Sequence, residues 1–113
     1  MAEGIPIETT DRDGTRIIAP RGDIDMVGSP TLRGVLHEAH DDRVQRVIVD
    51  LEQVGYMDSS GLATLVEAMK LGRSRNASLI LCNMGDRVRG IFEIAKLDQY
   101  FKITASLDEA LAS

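Results

Sequence analysis

Few residues in this chain have both the type and the spacing to do chemistry. The most concentrated group is Asp58-Ser59-Ser60-Gly61, a carboxylate and two hydroxyls directly ahead of an apolar run that begins at Leu62. A nucleophilic serine on a strand-to-helix turn asks for Gly-x-Ser-x-Gly, and Met57 and Asp58 stand where the first glycine belongs. The only histidines, His37 and His40, have no sequence reason to approach the serines as a general base. They lie three apart, flanked by Glu38, Asp41 and Asp42. An ordered metal site needs three or four ligands and no cysteine is near, so this pair reads as a solvated helix end. Gly85-Asp86-Arg87-Val88-Arg89-Gly90 spaces two glycines five apart, but no Lys-Ser/Thr follows to make a phosphate loop. It reads as a turn at Gly85 and a helix cap at Asp86. These groups support no enzyme, no metal and no cofactor.

The elements that must position Asp58 to Gly61 follow from periodicity. Leu32, Val35, Leu36 and Ala39 recur at helical spacing, as do Leu62, Leu65, Val66 and Met69, and again Val88, Ile91, Phe92 and Ala95. Each set makes one apolar stripe on an amphipathic helix. Ser29 is placed to cap the first, with Pro30 at its first helical position. Ser106-Leu107-Asp108-Glu109 is a capping box that announces a short last helix. Val47 to Leu51 and Leu79 to Cys82 are near-continuous apolar runs, which suit strands covered on both faces. Ile5, Ile7 and Thr9 alternate, Asp11 to Gly14 supplies a turn, and Thr15 to Ala19 resumes, so the N-terminal part reads as a β-hairpin that Pro20 ends. Asn76, after the basic stretch Lys70 to Arg75, can take the left-handed conformation at a helix end. The expected order is β-β-α-β-α-β-α, a short strand around Ile103, and a last helix. This is an α/β fold, a mixed β-sheet of four to five strands with about four flanking helices, in one domain spanning 1–113.

Composition bounds the function. At 113 residues the chain buries roughly 65% of the surface it exposes when unfolded, enough for one core. With no Trp, two Tyr and two Phe, that core is aliphatic. Eighteen acids against thirteen bases give a net charge of −5, which repels a phosphate backbone and argues against nucleic acid as a partner. The single cysteine, Cys82, reads as a buried thiol in a reducing compartment. Met1 to Thr10 lacks the features of a signal peptide, and no apolar run approaches the ~20 residues of a membrane span. The expected setting is cytoplasmic, with no membrane partner.

The loop Val54 to Asp58 leaves a strand at its carboxyl end, where α/β sheets meet ligands and partners, and Asp58 or Ser59 would cap the helix that follows. By themselves these residues are equally well a structural cap. The stretch Val49-Asp50-Leu51-Glu52-Gln53-Val54-Gly55-Tyr56-Met57-Asp58-Ser59-Ser60-Gly61-Leu62 closely resembles the signature of bacterial anti-sigma factor antagonists, members of the STAS domain family. Arg21-Gly22-Asp23-Ile24-Asp25 resembles that family's segment ahead of the first helix, and Arg87 to Leu97 its third helix, so the resemblance spans essentially the whole chain. Ala63, where glycine is common, and the strand exit Ala19-Pro20-Arg21 depart from the pattern.

The resemblance implies a STAS-like mixed sheet and a partner switch. The unphosphorylated protein would bind a serine-kinase anti-sigma factor and free its sigma factor; phosphorylation would end the binding, and a metal-dependent serine phosphatase would reset it. The serine after Met-Asp maps onto Ser59 as phosphoacceptor, and the implied partner surface comprises Asp23, Asp25, Met57, Asp58, Ser59, Ser60, Gly61 and Leu62. A monomer is the expected state. Two other readings compete: a STAS-domain scaffold or switch for a target other than a sigma factor, and a small nucleotide-binding protein or hydrolase.

Overall fold

A computed structural model describes residues 4–113. Strands β1 (Ile7–Arg12) and β2 (Thr15–Pro20) form the antiparallel hairpin, with Arg12 opposite Thr15. Its two-residue turn is Asp13-Gly14, both at positive φ (50° and 81°), the backbone hand that matches the twist of the flanking strands. There follow α1 (Ser29–Ala39), β3 (Arg46–Asp50), α2 (Ser59–Ser74), β4 (Ser78–Cys82), α3 (Asp86–Ile94), β5 (Lys102–Thr104) and α4 (Leu107–Ala112). The five strands lie in the order β1-β2-β3-β4-β5, and every pair after the hairpin is parallel. The mixed α/β sheet with four helices is the one the periodicity implied.

Strand alternation divides the core. Ile18, Val47, Val49, Leu79 and Leu81 meet the apolar stripes of α1, α2 and α3, including Leu32, Leu36, Leu65, Met69, Val88 and Phe92. The opposite face presents Ile17, Ile48, Ile80 and Cys82, which α4 covers with Ala110, Leu107 and Leu111. The near-continuous apolar runs of β3 and β4 are explained: both faces of these strands are covered. A six-residue helix is too short to persist unaided. Besides this burial, α4 is held by Arg46, whose guanidinium donates to the carbonyls of Ala110 (3.3 Å) and Ser113 (2.6 Å). Cys82 is buried as expected, and burial first, then Asp50 and Glu52, push its thiol up to about 12.

Three local expectations are corrected. Ser29 does not cap α1; it lies buried in the first turn, Gly28 is the N-cap, and the amides ahead of the helix are taken by Asp25. The cap of α3 is Gly85, with Asp86 already helical. The third stripe loses its last member, because α3 stops at Ile94 and Ala95 is exposed. Lys96 turns left-handed (φ 62°), and its amide and that of Leu97 close onto the Glu93 and Phe92 carbonyls, which brings Leu97 rather than Ala95 back to the core. Asn76 does take the left-handed position after α2, at φ 58°.

Candidate functional site

The site is built where β2 and β3 end. Residues 21–28 leave β2 and residues 51–58 leave β3, and the two loops continue side by side beyond the sheet. Gly22 N donates to Gln53 O (2.9 Å), Ile24 N to Tyr56 O (3.0 Å), and Asp58 N to Ile24 O (3.2 Å), with Ile24 and Met57 paired as a parallel bridge. Gly22 has φ 115°, a turn that a side chain would strain. Ile24 and Met57 are fully buried and close the end of the core beneath the loops. This closure also dictates Gly61: a Cβ there would lie 2.7 Å from Ile24 O and 2.9 Å from Ile24 Cγ2, and closer still to Met57 Cγ.

Of the two residues that could cap α2, Asp58 does so. Its Oδ1 accepts from Ser60 N (2.8 Å), Gly61 N (3.3 Å) and Ser60 Oγ (2.5 Å), leaving Ser59 as the first helical residue. The Ser60 hydroxyl, with help from the Gly61, Ser60 and Met26 amides and against partial burial, holds the Asp58 carboxyl below its ordinary range. The two serines are thereby distinguished. The Ser60 hydroxyl is turned in to Asp58, and its carbonyl takes Thr64 Oγ1 at 2.8 Å, whereas Ser59 is exposed. Asp25 performs the matching task ahead of α1, accepting from Val27 N and Gly28 N, both at 3.0 Å. Asp23 is exposed, with a carboxylate oxygen 3.7 Å from where a Cβ on Gly55 would be.

Asp23, Asp25, Asp58, Ser59 and Ser60 are thus brought to one end of the molecule by a two-loop ladder. Met57 and Gly61 are brought there too, but both are buried and neither offers surface to a partner. Their part is to position the loop and the helix start. Leu62 is half-buried on the rim and, with Ala63, Val66 and Leu97, borders a shallow groove beside α2.

On the other side of α2, a larger groove of about 760 Å³ runs between it and α1 from Ser60 to Glu67. Glu67 ties the two helices across that groove, accepting from Arg33 (2.6 Å) and lying 3.1 Å from His37 Nε2. His40 departs from the solvated helix end expected of it. The chain turns there and packs the ring against α2 at Gly72, leaving it 4% exposed with neither ring nitrogen hydrogen-bonded. Among the described residues no group of three His, Cys, Asp or Glu side chains could hold a metal, and no helix is long and apolar enough to cross a membrane.

Sequence reasoning missed Met26 and Val27. They project from the loop between Asp25 and Gly28, 78% and 62% exposed. The available signal was an apolar pair that belongs to no helical stripe and sits between an acidic residue and a glycine. It also missed Arg87, whose guanidinium stacks 5.1 Å over the Tyr56 ring beside the second loop.

A model of the STAS domain matches residues 6–110. The chain belongs to the STAS domain family. This STAS domain is 36% identical over 102 residues to the anti-sigma-B factor antagonist of Listeria monocytogenes, an alignment covering 88% of each protein. Its fold superimposes on an anti-sigma factor antagonist from Mycobacterium paratuberculosis with a TM-score of 0.86 and 26% identity, covering 96% of this chain and 92% of that one. The Bacillus cell fate determinant SpoIIAA, solved in its phosphorylated form, shares the fold at a TM-score of 0.72 and 22% identity over 95% of this chain and 97% of its own.

Proposed function

We propose that this STAS domain is an anti-sigma factor antagonist whose binding is switched off by phosphorylation of Ser59. The observation that carries the reading is the division of labour in the Asp58-Ser59-Ser60 run: one hydroxyl is engaged inside the cap and the other faces solvent at the start of a helix. The unphosphorylated form would bind a serine-kinase anti-sigma factor, release its sigma factor, and be restored after phosphorylation by a metal-dependent serine phosphatase. The relatives that carry the anti-sigma factor antagonist name support this assignment.

The chemistry of the switch follows from the position. A phosphoserine brings about −1.5 to −2 charge at neutral pH. At the first residue of α2 the helix dipole and nearby amides tolerate that charge, so the fold survives modification. A partner seated over Ser59 would instead have to strip water from a dianion that stands next to the Asp58 carboxylate. Uncompensated burial of charge costs several kcal/mol, and each ~1.4 kcal/mol is tenfold in affinity.

The test is incubation with the cognate kinase and ATP, followed by intact-mass measurement and peptide mapping. One phosphate on Ser59 is expected, none on a Ser59→Ala variant, and at least tenfold weaker kinase binding by Ser59→Asp with its melting temperature within about 2 °C of wild type. Equal binding by Ser59→Asp and wild type would overturn the switch. Absence of any modification would favour a scaffolding role.

A further inference from the structure

Single exposed apolar residues are ordinary on a protein surface, but Met26 and Val27 are not an ordinary instance. They are adjacent, they stand on the loop that pairs with the Met57-Asp58 segment, and their backbone is fixed from two sides. The Val27 and Gly28 amides are held by Asp25 Oδ1, each at 3.0 Å, and the other end of the loop is tied to the second loop by the bond from Asp58 N to Ile24 O at 3.2 Å. Asp25 and the backbone ladder between the two loops therefore pin the turn, and both apolar side chains stand exposed to water. Fixing them beforehand removes part of the ordering cost that a mobile loop would incur on binding. The same Asp58 caps the helix on which Ser59 is the first residue, so the apolar pair and the exposed hydroxyl share one rigid support.

Resting on the function proposed above, we infer that Met26 and Val27 are the apolar anchor of the anti-sigma factor interface. The surface they enter is an apolar recess on the anti-sigma factor, rimmed by Lys or Arg side chains. The basic rim follows from charge: Asp23 and Asp25 stand on the same loop as the pair and Asp58 ends the loop laddered to it, on a chain whose net charge is −5. Two contributions separate cleanly. The carboxylates steer encounter and set the association rate, while the buried apolar pair sets how long the complex lasts. Phosphorylation of Ser59 would place a hydrated dianion on the same support. Seating the recess over Met26 and Val27 would then bring the phosphate against the apolar part of the partner, outside the reach of the basic side chains that answer the carboxylates, and strip its water without return.

Surface plasmon resonance against the cognate serine-kinase anti-sigma factor tests the anchor, using wild type, Met26→Ser/Val27→Ser, Val27→Thr, Asp23→Asn, Ser59→Asp and Ile94→Ser. Ile94 is the control, an apolar side chain 86% exposed on the last turn of α3. The double variant is expected to weaken binding roughly 30-fold or more, almost wholly through faster dissociation. Val27→Thr, which keeps the shape and changes only polarity, should lose about threefold and guards against a folding defect. Asp23→Asn should slow association and flatten its salt dependence, and Ile94→Ser should bind as wild type does.

If wild type binds and Ser59→Asp does not, yet the double variant stays within about twofold of wild type, the anchor is overturned and the switch stands. A loss at Ile94→Ser equal to that of the double variant also overturns it, by moving the apolar contact elsewhere. If wild type binds no anti-sigma factor, the functional reading fails and the anchor falls with it.

Discussion

The two ends of the sheet use the same residue types in opposite ways. At the amino ends of β2 and β3, charges are paired with charges. Arg16 bonds to Asp11 at 2.7 Å and lies 3.6 Å from Asp41, which is also 3.6 Å from Arg43. The hairpin closes on itself there, with Gln45 N reaching back to Gly14 O, and His40 is folded inside. At the carboxyl ends, Asp25 and Asp58 each turn Oδ1 to backbone amides, and what faces outward includes a serine hydroxyl, two apolar side chains and the Asp23 carboxylate. One end satisfies its own surface, and the other leaves its most reactive and most adhesive groups in solvent while making the backbone beneath them rigid. Side-chain pairing answers the charges of the amino end on its own surface, whereas the caps at the carboxyl end leave the loop above them uncovered, which is what the proposed partner surface requires.

The comparison breaks most visibly at Gly61. Replacing it with Ala puts a methyl against Ile24 O and Met57, where neither the backbone ladder nor a buried side chain can yield easily. Urea denaturation should show a loss of roughly 2–4 kcal/mol, and partner binding should fall with it because the two loops separate. Unchanged stability would mean that the loop ladder is not a rigid support. Removing only the cap should cost less. Asp58→Ala frees the Ser60 and Gly61 amides and is expected to destabilise by about 1–2 kcal/mol, with Asp58→Asn falling between it and wild type.

The amino end has its own sensitive point, and pH exposes it. Burial first, then Arg75 and His37, hold the His40 ring below its ordinary pKa of 6.5, so the folded state prefers the neutral ring. As pH falls below 6.5 the unfolded chain takes the proton first, so this contribution to stability is complete above that pH and declines beneath it. The slope cannot exceed about 1.4 kcal/mol per pH unit for one proton. His40→Leu should flatten the dependence between about pH 6.5 and 5, before the depressed carboxylates begin to protonate. Denaturation midpoints of the two proteins across that window check this, and identical slopes would remove His40 as the cause.

Much of the scaffold was legible before any coordinates. Leu32-Val35-Leu36-Ala39 and Leu62-Leu65-Val66-Met69 sit on the helices their spacing implied, because a 3.6-residue period that covers a sheet leaves little freedom in which face turns inward. Ser59 and the acidic residues near it were singled out from local pattern and family likeness. The errors arose where chain direction, not periodicity, decides. Ser29 and Asp86 both looked like caps, but each is one residue too late, since Gly28 and Gly85 take the cap positions. His40 reads as part of a solvated helix end because two histidines with no cysteine near fall short of a metal's ligand count. The turn that ends α1 sends it inward instead.

By itself, the sequence determined the order of elements, the parallel crossovers, a hairpin turn within Asp11 to Gly14, which the structure narrows to Asp13-Gly14, and the presence of a capped serine pair, because each of these depends on contacts within a few residues or on one repeating period. Only the tertiary structure decided which serine is free, which aspartates are committed to amides, that Met57 and Gly61 are interior, and that Met26 and Val27 are not. The serine and aspartate bonds are local, a choice among rival caps within one run, whereas the burial of Met57 and Gly61 and the placing of Met26 and Val27 turn on the pairing of residues 21–28 with residues 51–58. No local propensity encodes that contact, since it exists only once β2 and β3 lie side by side in the sheet.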